Sequence, residues 1–103
     1  MNIAISKLDK RYTGHQYFKY SMVFRWQPSW QQGDRTAKFC EMRQWCWETF
    51  GPSCSLNEFM ELMIHNKPIV NERWCWTSPY EGTPARILIK SEEDKNWFAL
   101  RWG

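Results

Sequence analysis

The 103-residue sequence predicts an α+β fold of two layers: a small antiparallel sheet of three or four strands with helices on one face. Three observations lead there. Residues 16–26 alternate large apolar and polar side chains at period two, the pattern of a half-buried strand. Ser55-Leu56-Asn57-Glu58 and Ser91-Glu92-Glu93-Asp94 have the form of helix-capping sequences. Two short β-prone runs, 72–77 and 86–90, flank a loop rich in Pro and Gly, as in an antiparallel hairpin.

The elements follow in chain order. Residues 1–15 mix apolar and basic side chains without a clear period and read as an N-terminal arm or short strand, with a turn at Thr13-Gly14. Residues 16–103 form a single domain. In the first long strand Phe18, Tyr20, Met22, Phe24 and Trp26 share one face, and Tyr17, Lys19, Ser21, Val23 and Arg25 share the other. Gln27-Pro28-Ser29 stops it, and Trp30 falls in the loop that follows. Asp34 is the expected cap of a helix that runs to Phe50 and ends at Gly51-Pro52. Phe39, Cys46 and Phe50 lie within about 20° of one line along it, with Met42 and Trp47 beside them. Trp45 falls near Lys38 and Thr49, away from that stripe, and is expected at the surface.

A second helix follows Ser55, with Leu56, Phe59, Met60 and Met63 at helical spacing, and ends by Asn66-Lys67-Pro68. The closing segment reads as a helix, because Glu92, Glu93 and Asp94 favour the positive end of a helix dipole. Its rival reading makes residues 97–102 a fourth strand, which would give a ferredoxin-like arrangement.

Eight residues are tryptophan, and four of them occur in two copies of one tripeptide, Trp45-Cys46-Trp47 and Trp74-Cys75-Trp76. The copies are not a structural repeat. On a helix, residues two apart diverge by about 200°, whereas on a strand they share a face. Trp74 and Trp76 are therefore expected to act together as core.

The composition excludes several classes. Eight Trp, six Phe and four Tyr rule out a disordered chain despite a mean hydropathy of −0.70. A net charge of +3 permits a nucleic-acid partner without requiring one. The N-terminus has no apolar leader, and no window approaches the length of a membrane span. The expectation is a cytoplasmic protein with reduced thiols and no membrane partner. Cys40, Cys46, Cys54 and Cys75 contain no Cys-x-x-Cys pair, and His15 and His65 stand beside turns, so no metal or other cofactor is expected. Cys75 near Arg73, and Cys54 near a helix start, are the thiols whose pKa a basic setting or helix dipole would lower. Glu58 with Glu61, and the 92–94 acids, serve caps and solvated faces. No glycine-rich phosphate loop is present. The chain reads as a non-enzymatic binding protein.

Trp, Tyr, Arg and Met are the residue types enriched where proteins meet. The expected contact residues are Trp45, Trp30 and Tyr80, supported by Arg43, Arg73 and Arg25. The partner is a protein, either another species or a second copy. The alternative is single-stranded nucleic acid stacked on an aromatic and basic sheet face.

The stretches Arg43-Gln44-Trp45-Cys46-Trp47-Glu48-Thr49-Phe50-Gly51 and Asn96-Trp97-Phe98-Ala99-Leu100-Arg101-Trp102-Gly103 resemble small uncharacterised proteins of tailed bacteriophages. The resemblance implies a compact phage accessory or virion component acting in the host cytoplasm on a host or phage protein. It transfers no catalytic residue.

Overall fold

A computed structural model describes residues 3–11, 14–25, 30–31, 33–78 and 84–102. Seven elements follow in the order β1 (Ile3–Lys7), β2 (Tyr20–Phe24), α1 (Asp34–Phe50), α2 (Leu56–Ile64), β3 (Trp74–Thr77), β4 (Arg86–Ile89) and α3 (Glu92–Trp102). The four strands form one antiparallel sheet in the order β1-β2-β4-β3. This is the α+β architecture expected from the sequence. The closing segment is helical, so the condition for a ferredoxin-like arrangement is not met.

The period-two segment yields a strand shorter than its pattern predicts. Residues before it turn instead: the Tyr17 and Phe18 amides both donate to Gly14 O at 3.0 Å. Gly14 has φ +95°, and a Cβ there would meet both methyls of Leu56 at 3.2 Å. Glycine therefore permits the turn and the close approach of α2 together. The early residues are also an edge strand rather than a loose arm. Ile3 to Lys7 pair with Phe24 to Tyr20.

Strand register sorts the side chains into two cores. One sheet face carries Ile3, Ile5, Tyr20, Met22, Phe24, Ile87, Ile89, Trp74 and Trp76, and α1 and α3 cover it with Phe39, Met42, Cys46, Phe50 and Phe98. The opposite face carries Leu88 and Cys75, where Leu56 and Phe59 of α2 close a second core with Cys54 and Phe18. The helices are thus divided between the two faces, where the sequence reading placed them on one. Phe18 moves with them. The turn at Gly14 sends it into the second core, where it and Tyr17 meet Phe59 as tilted rings at 5.0 and 5.3 Å.

The helix ends are set by local chemistry. Ser55 Oγ accepts from the Glu58 amide at 3.3 Å, and Ser91 Oγ from the Asp94 amide at 3.1 Å, as the capping sequences predict. Asp34 is the first helical residue of α1 rather than its cap. The cap is Gly33, left-handed at φ 94°, and Asp34 Oδ2 reaches back to the Gln31 amide at 2.7 Å.

At the other end of α1, Asn71 closes the chain. Its Nδ2 donates to Phe50 O at 2.9 Å, Gly51 O at 3.3 Å and Pro52 O at 3.2 Å. Gly51 O also accepts the indole N–H of Trp74 at 2.8 Å. Helix ends leave carbonyls without partners, and here one side chain and one core indole supply them. The chain then runs alongside β3. Ser53 Oγ donates to Trp74 O at 2.6 Å, and Ser55 forms a parallel bridge with Trp76.

Candidate functional site

The two tryptophans of α1 leave the helix in opposite directions, and their destinations are the reverse of those expected. Cys46 between them points straight into the first core and is fully buried. Trp45 turns toward α3. It meets Phe50 at 5.5 Å, Phe98 at 5.9 Å and Trp102 at 6.4 Å, each edge to face, the arrangement that aromatic quadrupoles favour. Trp47 turns the other way and is 41% exposed. A helical wheel with a single buried stripe could not rank the pair, because α1 has two apolar neighbours: the sheet below and α3 beside it.

Trp47 is the outer end of an aromatic line that begins in the core. Trp74 is fully buried. Its ring centre lies 5.4 Å from that of Trp76, which in turn lies 6.4 Å from that of Trp47. Arg43, one turn before Trp47, sets its guanidinium 5.2 Å from the Trp76 ring centre and 5.8 Å from that of Phe39. Such cation–π contacts contribute about 0.5–1 kcal/mol when exposed. Their greater effect is to fix the arginine over the indole. The surface formed by Arg43, Trp47 and Trp76 is therefore held in place from behind.

The remaining expected contact residues scatter. Trp30 is half-buried against the first core, 6.1 Å from Phe24 edge to face. Arg25 is exposed just after β2. Tyr80 lies outside the described residues. Arg73 grips Asp94 in two bonds of 3.1 and 2.9 Å and stands 5.1 Å from the Phe50 ring centre. It braces β3 against the start of α3, and its side chain is half exposed, so the pair contributes at most about 1 kcal/mol. The carboxylate raises the Arg73 pKa further above its ordinary value.

Other apolar side chains also reach solvent. Met63, Ile64 and Val70 cluster in sequence about the end of α2, and Trp97 and Leu100 stand one turn apart on α3. None of them joins a line of ring contacts into the core, as Trp47 does, among the described residues.

The thiols depart from the expectation of a lowered pKa. Burial drives Cys75 far up, with the nearby Cys54 adding to it, and burial raises Cys54 as well. Cys46 is pushed up by burial alone. Arg73 cannot offset this for Cys75, because its guanidinium is committed to Asp94. Among the described residues no three His, Cys, Asp or Glu side chains gather to hold a metal ion, and no helix is long and apolar enough to cross a membrane. An open pocket at the end of the sheet is lined by Glu72, Arg73, Lys90, Ser91, Glu93 and Asp94, a mixed-charge set whose strongest pair is already joined.

Of the five expected contact residues that lie among the described residues, Arg43 alone belongs to the supported aromatic surface. Trp47, expected beside the buried stripe of α1, and Trp76, expected in the core, complete it. The aromatic sheet face proposed for stacking bases is the face that α1 and α3 cover. No family model, curated protein or solved structure matches this chain.

Proposed function

We propose that the chain is a small non-enzymatic protein that binds another protein through Arg43, Trp47 and Trp76. The observation that carries this reading is Trp47: a large indole 41% exposed, at the end of a line of tilted ring contacts that continues into the core. A side chain already fixed in its bound position loses little rotamer freedom on association. Trp and Arg are enriched among binding hot spots, and such residues cluster. The partner is a host or phage protein met in the cytoplasm, in keeping with the resemblance to phage accessory proteins.

The test uses the folded chain as bait in a lysate of candidate host cells, with Trp47→Ala, Arg43→Ala and the remote Trp97→Ala as variants. Loss of one captured protein in the first two and its retention in the third is expected, with at least about a tenfold fall in affinity, or 1.4 kcal/mol. Capture unaffected by Trp47→Ala rejects the surface. A single-stranded oligonucleotide titration at low salt separates the other ligand class, since stacking on Trp47 would quench its fluorescence and the quenching would fade steeply with salt.

A further inference from the structure

We propose that Cys54 and Cys75 form a thiol–disulfide site, which a low-molecular-weight disulfide oxidises to an intramolecular bond joining the segment before α2 to β3.

The register places the two residues side by side. The parallel bridge pairs Ser55 with Trp76, and the Ser53 hydroxyl reaches Trp74 O. The intervening positions, 54 and 75, are therefore lateral neighbours. Neighbouring strands stand about 4.8 Å apart, within the roughly 4.4–6.8 Å between Cα atoms that a disulfide spans. Alternation sends both side chains to the same side, and both belong to the second core with Leu56, Phe59 and Leu88. The nearness of the Cys54 thiol adds to the rise that burial gives the Cys75 pKa. The remaining cysteines are placed elsewhere: Cys46 is in the first core across the sheet, and Cys40 is exposed on α1.

The chemistry balances without any further reactant. After losing its proton to water, the Cys54 sulfur attacks one sulfur of the oxidant, whose S–S bond breaks and releases one thiolate. Cys75 then loses its proton and attacks the Cys54 sulfur of the mixed disulfide, releasing the second thiolate. Two protein thiols are oxidised and one small disulfide is reduced to two thiols. Because both sulfurs are buried and their pKa values raised, the reaction runs through local opening of the α2 side of the molecule or during folding. The closed ring contains all of α2, with the exposed Met63 and Ile64 at its end and Val70 beyond it. Oxidation therefore holds α2 to the sheet, and reduction frees it to lift.

Reduced and denatured chain is refolded in a buffer of oxidised and reduced glutathione, quenched with an alkylating agent and mapped by mass spectrometry. The expected product has one Cys54–Cys75 bond, with Cys40 and Cys46 alkylated, and reverts on reduction. Amide exchange across residues 56–64 is expected to be at least about tenfold slower in the oxidised form. A Cys40→Ser chain gives the same bond, which excludes exchange through the exposed Cys40 thiol as its source, and the oxidised product keeps the mass of one chain without reductant. Four alkylated thiols after refolding, glutathione retained on Cys54, or a bond to Cys46 overturns the proposal. Unchanged exchange in 56–64 overturns the role of the bond in holding α2. The mapping uses the unsubstituted pair, so it does not depend on whether Cys54→Ser or Cys75→Ser folds.

Discussion

The same three letters, Trp-Cys-Trp, do opposite things in α1 and in β3. On the helix the middle cysteine points at the sheet and the two indoles straddle it, one against α3 and one at the surface. On the strand the indoles share the first core and the cysteine is sent to the second. Cys46 and Cys75 are both fully buried, yet the sheet separates them. The side-chain period, about 3.6 or 2 residues, decides the fate of each tryptophan. Trp76 and Trp47 then meet, so one copy supports the exposed member of the other.

Substitutions break this comparison most strongly at its inner end. Trp74→Ala removes a fully buried indole and the hydrogen bond to Gly51 O, and should cost about 3–5 kcal/mol by denaturant titration. Trp45→Ala removes a half-buried ring with three edge-to-face partners and should cost less, about 2–3 kcal/mol. If Trp45→Ala proved neutral, Trp45 would be facing solvent as its helical wheel suggested. Asn71→Ala tests the joint between the two regions. It leaves carbonyls at the end of α1 without their donor and should cost about 1–3 kcal/mol, again read by denaturant titration.

The two cysteines give a pH signature. In the folded protein burial holds both thiols above their ordinary 9.0. Below 9.0 they are protonated in folded and unfolded chains alike, and their full contribution to stability is present. Above it the unfolded thiols ionise while the folded ones do not, so stability falls as pH rises, by up to about 1.4 kcal/mol per pH unit for each thiol. Melting temperature measured from pH 7 to 10.5 should show this alkaline fall, and Cys46→Ala should make it shallower. Trp47→Ala should have the smallest effect on stability, about 0.5–1 kcal/mol from the lost contact with Trp76. Its effect on partner capture should be the largest of the set. A variant whose melting collapses with its binding would place Trp47 in the core instead.

Much of the fold is legible in the sequence. The bounds of α1 were readable from its stripe and from Gly51-Pro52, α2 and α3 from serine caps, and the β3–β4 hairpin from two β-prone runs. The second core was also written there. Ile87-Leu88-Ile89 is apolar at every position, as a strand covered on both faces must be, and Leu56 with Phe59 needed somewhere to pack. What escaped was the direction in which Phe18 and Trp45 leave the backbone, because each depends on a contact distant in sequence: α2 at Gly14 for Phe18, and α3 beside α1 for Trp45. The candidate surface was missed for the same reason. Arg43 was recognisable as an arginine among aromatics, but its stacking on Trp76 spans 33 positions of chain, and no local pattern records it.

The segment that follows α1 along β3 has a bearing on how copies of the chain could associate. A sheet with two bare edges accepts strands on both sides and can grow into a fibre. Here Ser53 and Ser55 occupy the outer side of β3, and β1 stands at the other end of the sheet. Any strand exchange between molecules through β1 then pairs two chains edge to edge, while at the opposite end of the sheet a third strand meets the 53–55 segment before it meets β3.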